Sequence, residues 1–195
     1  YNLAPTEESA PYIPFSTNGN ATGNCLEEAI IQGFLELVER DAAAIWWYNQ
    51  LPRPEIVLES FADSYFNDVK KQYLELGWNM WFLDLTHDFE MPVVIAFAEN
   101  EKGEFYGGLG CHFEFSLAVQ RALTELNQLF SPHESHPPNF IKSSIEAPSF
   151  LYPSEENRLS DHYSPHPQQS LKDDIFYCRD KVKEIGMEML VLNYT

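Results

Sequence analysis

Asn24, Glu28, Gln32, Glu36 and Glu39 recur over residues 24–41 at spacings that a helix, turning about 100° per residue, gathers onto one stripe. A row of carboxylates and amides on a helix does one of two things. It edges a solvated cleft, or it holds something cationic. Mg²⁺ takes hard oxygen ligands, commonly one or two carboxylates completed by water and phosphate oxygens. Glu36 and Glu39 are i, i+3 neighbours and Glu28 lies two turns earlier on the same side, which suits one or two cations and an attached phosphate chain. Arg40, the next residue round, is placed to reach a phosphate or to pair with an acid.

The helix that must carry this stripe begins at Asn24 and runs past Asp41 through Trp46, Trp47 and Tyr48 to stop before the Pro52-Arg53-Pro54 run. Leu26, Ala29, Ile30, Ile31, Phe34, Leu35, Leu37, Val38 and Ala42–Ile45 fill most of its remaining surface. A helix apolar on most sides is buried on most sides, so contact with bulk water alone does not account for the acids. Asn24 and Glu27 have the spacing of a capping box, although that motif prefers Ser or Thr in the first place. The preceding segment, 16–24, is small and polar throughout and permits close backbone approach.

Composition bounds the function classes. The 195 residues, 44% of them hydrophobic, suffice for one domain with a substantial core. No run of 18 or more apolar residues appears, and no basic, apolar signal segment opens the sequence. Neither a membrane span nor membrane association is therefore expected. Cys25, Cys111 and Cys178 are odd in number and widely separated, which reads as reduced thiols of a cytoplasmic protein. A formal net charge of −18 argues against nucleic acid, because phosphate neutralisation needs clustered Lys and Arg. It leaves room for a nucleotide bridged by divalent cations.

The rest of the chain reads as α+β, a mixed sheet with packed helices. Residues 1–15 form an extended lead-in. A second helix opens at Ser60, with Gly77 just past its end. Strands follow at 78–85, at 92–98 (a continuous apolar run typical of a buried strand) and at 104–111, the last two joined by a turn at Asn100–Gly103. A helix spans 116–130. Residues 131–169 hold seven of the 13 prolines and four of the six histidines without sustained periodicity, and so read as a long Pro-rich loop. A last helix covers 170–185, and 187–193 reads as an apolar strand echoing 78–85. A sequence closing on such a strand without a polar tail looks like part of a longer domain, cut at both ends.

The segment STNGNATGN over 16–24, running into LEEAIIQGFLELVERD over 26–41, resembles the signature of the YcaO family. The likeness is greatest to the azoline-forming cyclodehydratases of thiazole/oxazole-modified microcin and bacteriocin-like peptide pathways. YGGLGCH over 106–112, followed by AVQRALTELNQ over 118–128, resembles that family's downstream helix. The match covers roughly 16–195, the middle of a family member. The resemblance implies that ATP is bound through Mg²⁺ held by glutamates. A peptide amide oxygen is phosphorylated after a Cys, Ser or Thr side chain attacks the carbonyl, and loss of phosphate leaves thiazoline or oxazoline. By position, Asn24 and Glu28 contact nucleotide or its metal, Glu36 and Glu39 hold Mg²⁺, and Arg40 faces phosphate. Gln32, Glu125 and Gln128 have packing or supporting roles, and no catalytic residue is assigned. The implied partners are a precursor peptide and an E1-like protein that presents it; a homodimer stays open. A further glutamate-bearing helix is expected upstream of residue 1. The alternatives are a thioamide-forming or accessory ATP enzyme, and an inactive scaffold or peptide-binding fragment.

Other candidates carry less. His133, His136, His162 and His166 have spacings of three and four but no Cys and no helix to hold them as zinc ligands. Cys111 and His112 are adjacent on a strand, so their side chains point to opposite faces and do not make a thiol–imidazole pair. Trp46, Trp47, Trp78 and Trp81 read as core or subunit interface. No G-x4-G-K-[ST] phosphate loop occurs.

Overall fold

Alternation along the strands divides the apolar residues between two cores, one on each face of a single sheet. The computed structural model describes residues 17–130, 148–167 and 170–193. Its elements are α1 (Leu26–Asn49), β1 (Arg53–Ile56), α2 (Ser64–Glu75), β2 (Trp78–Asp84), β3 (Val93–Asn100), β4 (Phe105–Cys111), α3 (Phe115–Leu129), β5 (Pro153–Arg158) and α4 (Leu171–Glu184). The strand order is β4-β3-β2-β1-β5; β1 and β5 are parallel and the other pairs antiparallel. Trp81, Leu83, Val93, Ile95, Phe97 and Phe105 face α1 and α4, whereas Met80, Phe82, Val94, Ala96, Ala98 and Tyr106 face α2 and α3. This is the expected mixed sheet with packed helices. Because both faces are covered, β3 is buried from Val93 to Ala98.

Edge strand β4 fixes how the helices straddle the sheet. A Cβ on Gly108 would collide with the Leu126 backbone nitrogen, and one on Gly110 with the Ala122 nitrogen. The missing side chains let α3 lie directly on the strand. On the opposite face α1 buries Ile31, Phe34, Leu35, Val38, Ala42 and Trp46. Two helices thus flank one edge.

Several elements differ from the sequence reading. Cys25 is the N-cap of α1 and makes no side-chain cap bond; Asn24 instead donates through its backbone N and Nδ2 to Glu28 Oε2, at 2.7 and 2.9 Å. The second helix opens at Ser64, where Asp63 accepts from Tyr65 N, while Ser60 closes a short 3-10 turn. The Arg53–Ile56 segment is a strand despite Pro54, held by parallel pairing to β5. β5 itself lies within the stretch read as a Pro-rich loop, a short strand whose register with β1 is broken by an irregularity between Arg53 and Glu55. Such pairing is long-range and leaves no local period. Met187–Asn193 is not a strand: no described strand lies beside it, and Leu190 and Leu192 are exposed where a sheet would bury them. Trp46, Trp78 and Trp81 are core, and Trp47 packs partly buried against it. The 1–15 lead-in, His133 and His136 lie outside the described residues.

Candidate functional site

The outer edge of β4 is closed by two α3 side chains one turn apart. Glu125 Oε2 accepts from the Leu109 backbone N at 2.6 Å, and Arg121 Nη1 donates to the Cys111 carbonyl at 3.1 Å. Edge groups need partners, and here charged side chains supply them. Arg121 Nη2 reaches across to Gln32 Oε1 of α1 at 2.9 Å, tying the two flanking helices together at the strand they share.

Glu39 sits on the α1 side of this edge with its side chain only 12% exposed. Burial pushes its carboxyl up to about 7; Arg40 beside it opposes the rise, while the charges of Glu125 and Glu36 add to it. Arg40 stands 3.6 Å from Glu39 and 3.8 Å from Glu36. Glu36 also accepts from the Gly19 backbone N at 3.1 Å. That contact needs Gly33, where a Cβ would meet the Gly19 carbonyl oxygen at 2.6 Å. The polar 17–23 segment therefore lies against α1 and holds one of its carboxylates.

The predicted stripe separates into two stations. Rise along a helix puts Glu28 and Glu39 about 16 Å apart along the axis, so one cation cannot bridge all three glutamates. Among the described residues no group of three or more His, Cys, Asp or Glu stands close enough to hold a metal ion. Glu36, Glu39 and Arg40 form the station that Glu125 and Arg121 act on. Glu28 and Gln32 instead line a cleft of about 280 Å³. Asn24 is exposed and bonded to Glu28, and Gln128 is exposed on α3 just past Glu125. The residues present suit Mg²⁺ bound with a phosphate chain, in which one or two carboxylates suffice: a desolvated carboxyl already opposed by other acids gains most from a cation.

Arg121 and Asp174 do not stand out in the sequence, and His166 does so only as one of four histidines in the Pro-rich stretch. Arg121 was legible only as part of the family helix, although its i, i+4 spacing to Glu125 is a usable signal. His166 and Asp174 pair at 2.8 Å across the start of α4 and line the same cleft as His112. Their proximity depends on α4 packing beside α1, which no local period reveals. Cys111 and His112 diverge as expected, Cys111 into the core and His112 into the cleft. Burial raises the thiols of Cys111 and Cys178, so neither is a ready thiolate.

A family model described as YcaO cyclodehydratase, ATP- and Mg²⁺-binding, matches residues 1–195. The heterocyclase TruD superposes with a TM-score of 0.85 at 33% identity, over 94% of this chain and 28% of that one. A heterocyclase in complex with substrate and cofactor gives 0.85 at 32%, over 95% and 27%. YcaO from Methanopyrus kandleri, bound with AMPPCP and Mg²⁺, gives 0.74 at 26%, over 91% and 50%. The chain spans about a third of the length of the curated relatives it matches. No helix among the described residues is long and apolar enough to cross a membrane.

Proposed function

The chain belongs to the YcaO family, and from that premise we propose that it carries the nucleotide-facing part of an ATP-dependent cyclodehydratase. The reaction proposed converts Cys, Ser or Thr in a ribosomal precursor peptide to thiazoline or oxazoline. A peptide-presenting protein of the E1-like type is the implied partner, in the cytoplasm.

The observation that carries this reading is the pair of carboxylates brought to one sheet edge from two helices, Glu39 of α1 and Glu125 of α3, with Arg40 and Arg121 beside them. Phosphoryl transfer is mostly positioning and charge neutralisation. Mg²⁺, when bound, neutralises the triphosphate and draws charge from the transferred phosphoryl group. Glu36 and Glu39 supply hard oxygens for it, and Arg40 faces phosphate. Glu28, steadied by Asn24, contacts nucleotide or its metal two turns earlier. Gln32 and Arg121 fix the separation of α1 and α3. Glu125 is held by the Leu109 amide so that its free oxygen keeps one direction, and Gln128 lends support one turn on.

The test is phosphate release and loss of one water per heterocycle when Mg²⁺–ATP and a Cys-containing precursor peptide are added together. Both are expected, with phosphate release depending on the peptide. ATP binding with sulfur incorporated into the backbone would move the reading to thioamide formation. An intact fold that binds no Mg²⁺–ATP would leave a scaffold.

A further inference from the structure

The cleft beside the nucleotide stripe holds a feature that phosphate binding does not use. Its walls are Glu28 and Gln32 of α1, His112 and Phe113 after β4, and His166 and Asp174 at the start of α4. His166 Nε2 lies 2.8 Å from Asp174 Oδ1, with side-chain exposures of 12% and 18%. The ring is stacked on Phe113 at 4.6 Å and flanked by Tyr177 at 4.8 Å. A carboxylate that engages one imidazole nitrogen fixes the tautomer and leaves the other nitrogen as a base. Aromatic contacts on two sides fix the ring plane. The cleft is continuous with the stripe, because Glu28 and Gln32 belong to both. A group entering it therefore lies beside the residues that face the nucleotide.

We propose that His166, oriented by Asp174, is the base that takes the proton from the Cys, Ser or Thr side chain as it attacks the peptide carbonyl. This rests on the cyclodehydratase reading above. The S–H or O–H bond breaks, its proton passes to the His166 nitrogen not engaged by Asp174, and the freed electron pair forms the bond to the carbonyl carbon. The carbonyl π pair moves onto oxygen, which a nucleoside triphosphate then phosphorylates with release of the diphosphate. Loss of that phosphate with the amide proton leaves the C=N bond, and His166 returns its own proton to solvent. The charged and titratable groups around the ring are Asp174 and Tyr177 of α4, His112 and Glu114 after β4, and Glu28 of α1. His112 Nδ1 accepts from the Glu114 backbone N at 3.0 Å. Burial, with the nearby Arg121 and His166, holds His112 at about 4, so it binds a proton too weakly to compete as the base.

The test uses His166→Gln, which keeps an N–H donor for Asp174 but has no basic lone pair, in the full chain. Two precursor peptides are compared, one with a single Cys and one with Ser in its place. A thiol near 8.5 is partly ionised without help, whereas a hydroxyl is not. At pH 7 the Ser peptide should cyclise about 10²–10³-fold more slowly and the Cys peptide about tenfold more slowly. The Cys deficit should close as pH rises to about 9. Mg²⁺–ATP affinity and the far-UV circular dichroism spectrum should stay unchanged. Equal slowing of both peptides at every pH, or no slowing, overturns the proposal and leaves a structural pair. A wild-type chain that binds Mg²⁺–ATP but alters neither peptide when its peptide-presenting partner is supplied overturns the cyclodehydratase reading, and the base with it.

Discussion

Glu125 accepts a hydrogen bond of 2.6 Å from the backbone N–H of Leu109, so a side chain of α3 completes the outer edge of β4 and at the same time stands opposite Glu39 of α1. One residue thus serves the fold and the candidate site. Glu125→Gln keeps an acceptor for Leu109 and should leave stability within about 1 kcal/mol of wild type. Glu125→Ala leaves that donor unpaired and should cost about 1–3 kcal/mol in urea unfolding. If both variants unfold at the same midpoint, the bond is not made.

Glu39 gives a pH signature. Its folded carboxyl sits near 7 against an ordinary value of 4.5, so the folded state holds the proton more tightly than the unfolded state. Stability should therefore be full below about pH 4.5 as far as this group is concerned, and decline as pH rises through 7. The loss reaches about 3 kcal/mol at most. Glu39→Gln should be more stable than wild type at pH 8 and indistinguishable from it at pH 4.5 by thermal melting. A variant less stable at pH 8 would mean the carboxylate is already compensated.

Gly33 is a packing prediction. A Cβ there collides with the Gly19 carbonyl at 2.6 Å, so Gly33→Ala should displace the 17–23 segment and break the Gly19–Glu36 bond while α1 persists, since Ala favours helix. Far-UV circular dichroism should be unchanged and hydrogen exchange at Gly19 faster. Unaltered exchange would show that the segment does not depend on the contact.

Asp84 is the buried charge of the described core, 1% exposed, accepting from Tyr163 Oη at 2.7 Å and Thr86 N at 3.0 Å with Arg158 at 3.3 Å. It pins β2 to the end of β5 and to the 160–163 segment. Asp84→Ala leaves Tyr163 Oη and the Thr86 N–H without their acceptor while Arg158 keeps Glu156 at 3.4 Å, and should cost about 2–3 kcal/mol, whereas Tyr163→Phe should cost about 1 kcal/mol. Equal, small losses would show the network to be solvated.

The helices and buried strands were legible because their patterns are local. Val93–Ala98 is apolar throughout, and the polar residues of α1 recur at helical spacing. What stayed hidden depends on distant partners: β5 on β1, Arg121 on Gln32, His166 on Asp174. Met187–Asn193 misled for the converse reason, since an apolar run makes a strand only beside another strand. The period put the stripe residues on one side of α1 but said nothing of axial distance, which sets Glu28 apart from Glu39. The cap of α1 lies one residue later than expected: Cys25 is the N-cap, and Asn24 donates to the side chain of Glu28 in the first turn.

On this reading one nucleotide–cation site is built from two helices across the β4 edge. Isothermal titration of Mg²⁺–ATP into the wild-type chain, Glu39→Gln, Glu125→Gln and the double variant tests it most directly. Wild type should bind, each single variant should lose at least tenfold in affinity (about 1.4 kcal/mol), and the double loss should be smaller than the sum, since the two act on one site. Strictly additive losses, or variants that bind as well as wild type with the fold intact, would contradict it.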